Sequence, residues 1–393
     1  MRINTLQKLV IGTLFISACL TLWGWRSVPS LPPATSTKKP PSSSLPPGPK
    51  LLPSRQGDGR QRRPDTPRAN TQPQLPPQPQ TPPLDEHKFL FIAGVHRSGT
   101  TITHAALRDH PDISGFKNTK VVMDEGQFLT KVLPTGKTFG GFSKFAFDSR
   151  AHLTEAHHLN TKENSDQLFA DWSRYWNLSK PVLMEKSPPH TMQLRLLNAL
   201  FKDKGERYFL VVQRHPVATT LAIMFWGKKP RALTKKDEVN FWSLIEHWLI
   251  QNERMREDAT FLDNVVVVRY EEFMAYPQDY LLYLHRWLGV KPDPLRQKLT
   301  DSTNDKYYNA LLSSCNLFEG RQGVCNDKTI RYTSIDSRSK YQELKERVES
   351  FGYSMEDPFS LPEVPCSGKL LPHERLWCDR LITPTMLLHG PTK

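Results

Sequence analysis

The chain has 393 residues, room for one large domain or two ordinary ones, and a formal net charge of +13. About half of its 33 prolines lie between Ser27 and Leu84, where eight Lys/Arg stand against two Asp. Most of the positive excess thus belongs to that segment and to the flanks of the N-terminus. The mildly basic remainder suits an anionic small ligand and gives no sign of nucleic-acid binding.

The first element in chain order is LVIGTLFISACLTLWGW, Leu9–Trp25, an apolar run between Lys8 and Arg26. At helical rise it spans about 25 Å, enough for a thin bilayer. It reads as a transmembrane signal anchor, with 1–8 a cytoplasmic tail and the bulk of the chain luminal, because a long stem follows and no clear A-x-A site does. A cleaved signal peptide is one alternative, and a lipoprotein signal, suggested by the cysteine of ISAC, is another. All three export the bulk of the chain. Residues 26–84 form a proline-rich stem, extended and disordered, because such a composition cannot offset its ordering entropy.

From Leu84 onward, apolar runs alternate with amphipathic ones. FLFIA (Phe89–Ala93), PVLME (Pro181–Glu185), YFLVVQ (Tyr208–Gln213) and VVVVRY (Val265–Tyr270) are continuous rather than alternating, the mark of buried parallel strands. Helices are expected over Thr101–Asp109, His190–Phe201, Ala218–Phe225, Glu238–Asp258, Tyr276–Leu288 and Ser339–Phe351. The fold class is α/β, a P-loop-type, mostly parallel sheet with helices on both faces, over residues 85–361. A C-terminal extension, 362–393, follows. Late cysteines at short intervals predict local disulfides Cys315–Cys325 and Cys366–Cys378, and no C-x-x-C spacing favours zinc instead. Asn177 opens a glycosylation sequon, NLS, compatible with a lumen.

The chemistry starts at GVHRSGTT, Gly94–Thr101, between an expected strand and an expected helix. Glycines let backbone N–H groups curl around an anion, and a helix N-terminus adds a favourable dipole. A nucleotide triphosphatase carries lysine after the second glycine; here that place is Thr100, so no group reaches for a γ-phosphate. Arg97 stands inside the loop. A second arginine, Arg214, ends the strand YFLVVQ and opens R-x-P.

HRSGTT with its helix and HPDI, then RHP after a strand, then VVVVRYEEFMAYPQDYLLYLHRWLGV, resemble the PAPS-dependent sulfotransferases. The resemblance covers about Lys88 to Tyr353, and the membrane-bound luminal (Golgi-type) branch, with its tyrosylprotein and glycan sulfotransferases, is the closer match. It implies PAPS as co-substrate without a metal. His96, Arg97, Ser98, Gly99, Thr100 and Thr101 would grip the 5′-phosphosulfate and Arg214 the 3′-phosphate. Eight residues beyond that arginine the family usually has serine; the matching position here is Ala222, with Thr219 or Thr220 as substitute hydroxyls.

The resemblance also implies a lysine near the leaving oxygen, Lys186 of EKSP, and a catalytic glutamate after the first helix. That glutamate is Glu125 of MDEGQFL, with Asp124 and His190 as competitors for the base. Ala146–Leu178, with His157 and His158, reads either as an acceptor-binding insertion or as a plain helical surface layer. The function expected is sulfuryl transfer to a hydroxyl of a luminal glycan or protein tyrosine, in a single-pass Golgi membrane protein. The alternatives are a non-catalytic luminal protein on a degenerate sulfotransferase fold, or a P-loop kinase.

Overall fold

Five strands, β1 Lys88–Ala93, β2 Ile113–Gly115, β3 Val182–Lys186, β4 Glu206–Gln213 and β5 Asn264–Arg269, pair in the order β2-β3-β1-β4-β5. Every pairing is parallel. The structure, a computed structural model, describes residues 83–224, 239, 241–296, 299, 304–305, 307–308, 338–360, 362–363, 366 and 370–389. Leu9–Trp25, the stem up to residue 82 and the Cys315–Cys325 pair lie outside these residues. Among the described residues no helix is long and apolar enough to cross a membrane.

The strand runs are continuous because both faces of the sheet are covered. Phe89, Phe91, Phe209, Val211 and Val267 enter one core with Trp172, Leu197 and Phe201. Their neighbours Leu90, Ile92, Leu210, Val212 and Val268 enter another with Leu107, Tyr280 and Leu284. Alternate side chains of one strand thus serve opposite layers.

Helices α1 Thr100–Arg108, α2 Lys162–Ser173, α3 Leu194–Leu200, α4 Pro216–Met224 and α5 Phe241–Asp258 connect or flank these strands. After β5 come α6 Tyr270–Ala275, α7 Pro277–Trp287, α8 Arg338–Glu349, α9 Pro372–Arg380 and α10 Pro384–His389. The chain leaves β1 towards β2 and β3, then crosses to the other side of β1 for β4. Parallel sheets bind ligands outside the carboxyl ends of strands at such a reversal.

Three elements differ from the sequence reading. β2 has three residues, too few to show a period. The helix expected over His190–Phe201 is divided: Pro188–Met192 form a 3₁₀ turn, with proline at its start, and α3 begins at Leu194. Tyr270, assigned to a strand, opens α6.

Cys366 and Cys378 form the expected disulfide. The extension it closes packs into both cores, through Trp377 and Leu381 on one face and Ile382 on the other. Ile382 donates its backbone N–H to Val267 O at 2.9 Å, and Leu381 bridges to Val267 in parallel.

Candidate active site

The loop after β1 turns through two left-handed residues, Arg97 (φ 74°) and Gly99 (φ 107°). Glycine is required at the second, since a Cβ there would strike the ring of Tyr270. Gly99 is the N-cap of α1 without any side-chain cap. The N–H groups of Thr100 and Thr101 in the first turn therefore have no intrahelical acceptor. Ser98 is buried below the loop, and its Oγ has no hydrogen-bond partner. Uncapped donors and an orphaned hydroxyl at a helix N-terminus fit an anionic group.

Arg214, at the end of β4, is buried beside this loop. Its Nη1 donates to Arg97 O at 2.9 Å and its Nε to Asn304 Oδ1 at 2.8 Å. The guanidinium lies 4.3 Å from the centroid of the Tyr270 ring. Asn304 Nδ2 in turn donates to Glu271 Oε1 at 3.0 Å. The expected contact position Ala222 lies elsewhere: it packs with Leu221, Ile223 and Trp248 in an apolar cluster and is not among the residues lining the cavity described below. Of its neighbours, Thr219 donates to backbone carbonyls within α4, and Thr220 Oγ1 is buried without a partner.

Across the loop, Lys186 ends β3 completely buried. Its ammonium donates to Glu125 Oε1 at 3.2 Å and to Met123 O at 3.1 Å. Glu125 Oε2 accepts from Gln127 Nε2 at 2.6 Å. Burial pushes the Glu125 carboxyl above its ordinary value, against the opposing pull of Lys186 and Gln127. The neighbouring Asp124 differs: burial works to raise it, but hydrogen bonds from Thr119 bring its carboxyl below the ordinary value. His96 is pushed down to about 3 by desolvation, then by Lys186 and Arg97, so the imidazole is neutral.

The turn that carries Glu125 is clamped to β3 by Glu185 and Ser187. Glu185 Oε1 accepts from Gly126 N at 2.8 Å and from Ser187 Oγ at 2.6 Å, and Ser187 Oγ accepts from Gln127 N at 3.0 Å. A Cβ on Gly126 would come within 2.5 Å of Glu185 Oε1, so only glycine admits the clamp. Trp172 Nε1 donates to Gly126 O at 3.1 Å. His190, completely buried, pairs with Glu185 through Nε2.

These parts surround one cavity of about 970 Å³. His96, Arg97, Gly99, Thr100, Thr101 and Arg214 stand on its wall together with Glu125, Gln127 and Tyr270. Ser98, Lys186, Asp124, His190, His157 and His158 do not, and Lys186 meets the wall through its bond to Glu125. No residue of Ala146–Leu178 lines the cavity either. Leu168 and Trp172 of α2 face the core, so that helix packs as a layer over the sheet. Among the described residues no group of three or more His, Cys, Asp or Glu is placed to hold a metal ion.

Residues 90–294, more than half of the chain, match the profile of the sulfotransferase family. The chain belongs to the sulfotransferase family. Similar solved structures include the sulfotransferase domain of the Synechococcus PCC 7002 olefin synthase, at 16% identity and a TM-score of 0.39, covering 71% of this chain and 99% of that one. A sulfotransferase from Alicyclobacillus acidocaldarius matches at 16% identity and a TM-score of 0.35, covering 57% and 91%. No curated protein sequence matches.

Sequence reasoning missed four residues of this sulfotransferase: Gln127, Glu185, Tyr270 and Asn304. Gln127 and Glu185 each adjoin or nearly adjoin a residue that was singled out, in DEGQ and EKS. Asn304 lies far along the chain from Arg214, and no local pattern points to it.

Proposed function

We propose that this sulfotransferase moves the sulfuryl group of PAPS to a hydroxyl of a luminal acceptor, as a Golgi-type membrane-anchored enzyme. The observation that carries the reading is the Lys186–Glu125 pair beside a cavity whose wall also holds the Gly94–Thr101 loop and Arg214. Backbone donors of Thr100 and Thr101, with Arg97, hold the 5′-phosphosulfate; Arg214, fixed by Asn304, addresses the 3′-phosphate. Ser98, whose orphaned hydroxyl is buried in the same loop, belongs with the 5′-phosphosulfate contacts.

In the reaction the acceptor oxygen forms a bond to sulfur as the bond from sulfur to the bridging phosphate oxygen breaks. Glu125 takes the acceptor proton, a task that suits a carboxylate of raised proton affinity. The electron pair of the breaking bond stays with the phosphate oxygen of adenosine 3′,5′-bisphosphate, where Lys186 and Arg97 stabilise the developing charge. The luminal setting rests on the apolar Leu9–Trp25 run, the proline stem and the Cys366–Cys378 disulfide.

The deciding experiment measures binding of adenosine 3′,5′-bisphosphate and of Mg-ATP to the full-length chain, followed by transfer of label from PAPS to a mixed panel of hydroxyl acceptors. Bisphosphate binding without added metal, and labelled product, are expected. Binding without any transfer would favour a non-catalytic protein on this fold. Tight Mg-ATP binding with no affinity for the bisphosphate would return the kinase reading.

A further inference from the structure

The turn over residues 118–124, which delivers Glu125, is held in an unusual backbone. Five non-glycine residues have positive φ among the described residues, and four of them are Asn118, Lys120, Met123 and Asp124. Left-handed backbone is costly for a residue such as methionine, so it persists only where the surroundings hold it. Here Asp124 Oδ1 accepts from Thr119 N at 2.7 Å and from Thr119 Oγ1 at 2.6 Å, while Lys186 Nζ holds Met123 O.

The result of this conformation is a lip of bare hydrocarbon. Val122 is 59% exposed and Met123 48%, and both line the cavity next to the Lys186–Glu125 pair. Phe128, 37% exposed, lines the same wall. Two lysines, Lys120 and Lys137, line the cavity as well, and neither forms an ion pair among the described residues. Glu125 is the only carboxylate among the described lining residues, and Lys186 already holds it.

A neutral sugar is recognised by side chains that donate to and accept from its hydroxyls, and this wall offers few. Gln127 gives one amide N–H to Glu125, and the other uncharged polar side chains of the lining outside the donor loop are Thr135 and Tyr270. Apolar walls with a few placed charges select an amphiphile instead.

We propose that Val122, Met123 and Phe128, with Lys120 and Lys137, form the acceptor subsite. Its substrate is a hydroxyl carried on an apolar skeleton that also bears an anionic group. This inference rests on the donor and base assignments proposed above, and it adds the class of acceptor.

The test uses the full-length chain, labelled PAPS and three matched acceptors: an aryl hydroxy acid, its neutral methyl ester and a neutral methyl glycoside. The expected order of kcat/KM is acid, then ester, then glycoside, with about 10-fold or more between the first and the last. Val122→Ser combined with Met123→Asn, an exposed pair of changes in which asparagine tolerates the left-handed backbone, raises KM for the acid and ester about 10-fold. The same variant leaves KM for PAPS and affinity for the bisphosphate unchanged. Lys120→Ala with Lys137→Ala removes the preference of acid over ester. Donor binding with equal or better turnover of the glycoside, or an unchanged acceptor KM in the lip variant, overturns this inference alone. Failure of the unmodified chain to bind the bisphosphate overturns the donor reading, and this inference with it.

Discussion

Lys186 Nζ lies 3.2 Å from Glu125 Oε1, the lysine completely buried and the glutamate nearly so. Desolvation disfavours the ionised form of a buried carboxylate, and a neighbouring cation favours it. Here burial of Glu125 outweighs the help of its partner, and the carboxyl is left above its ordinary value.

That balance fixes the pH dependence of turnover. With Glu125 as the proposed base, which must be ionised, kcat/KM falls as pH drops through the raised Glu125 pKa, on the acid side. Gln127→Leu removes a hydrogen bond to the ionised form, which raises that pKa further and moves the acid limb to higher pH. Glu125→Gln lowers kcat by about 100-fold or more and leaves bisphosphate affinity intact. Rate profiles from pH 5 to 9 check the limb and the loss of kcat, a bisphosphate titration checks the affinity, and an unmoved limb in Gln127→Leu would remove Glu125 from the role.

The donor loop responds to the residues that shape it. Arg214→Ala loses its contacts to Arg97 O, Asn304 and the Tyr270 face, and bisphosphate affinity falls by about 10-fold or more. Asn304→Ala gives a smaller loss, because it only orients the guanidinium. Titration calorimetry ranks the two variants, and an Asn304→Ala effect larger than that of Arg214→Ala would reverse their assignment.

The clamp below the base is a stability determinant as well. Glu185→Leu leaves His190 buried without its partner and frees Gly126 N and Ser187, at a cost of about 3 kcal/mol. Urea unfolding measures it. A loss below about 0.5 kcal/mol would show that the buried pair contributes nothing net, as occurs when desolvation cancels attraction.

Acid weakens the fold for a separate reason. Desolvation holds His104 and His247 down to about 3 and His215 to about 4, so the folded protein binds fewer protons than the unfolded chain below the ordinary value of 6.5. Stability is therefore full above pH 6.5 and is lost as pH falls from there towards 4, at up to about 1.4 kcal/mol per pH unit for each histidine. Thermal melts at pH 7.5 and 5.0 should show a clear drop in Tm. His104→Gln should flatten the slope.

Much of the fold was legible because its signals are local. Four of the five strands are continuous apolar runs, and the sheet covers both of their faces. The strand–loop–helix geometry around Gly94–Thr101 was legible because its glycines, strand and helix are contiguous in sequence. Other features were not local. The Lys186–Glu125 pair joins residues 61 apart in the chain, and Arg214 and Asn304 are 90 apart. The Ala146–Leu178 stretch was ambiguous because histidines and tryptophans serve a binding wall and a covering layer equally well. The structure shows that Trp172 is buried on Gly126, a contact no local pattern announced.

The contact of Leu381 and Ile382 with Val267 has a consequence for solubility. β5 ends the sheet, and an open edge strand presents unpaired N–H and C=O groups on which a second copy could add a strand. The returning chain occupies one of those sites and caps the edge with its own backbone. The Cys366–Cys378 link shortens the tether by which that cap is held. Oxidation thus guards the folded protein against edge-to-edge aggregation, a hazard that grows with protein concentration.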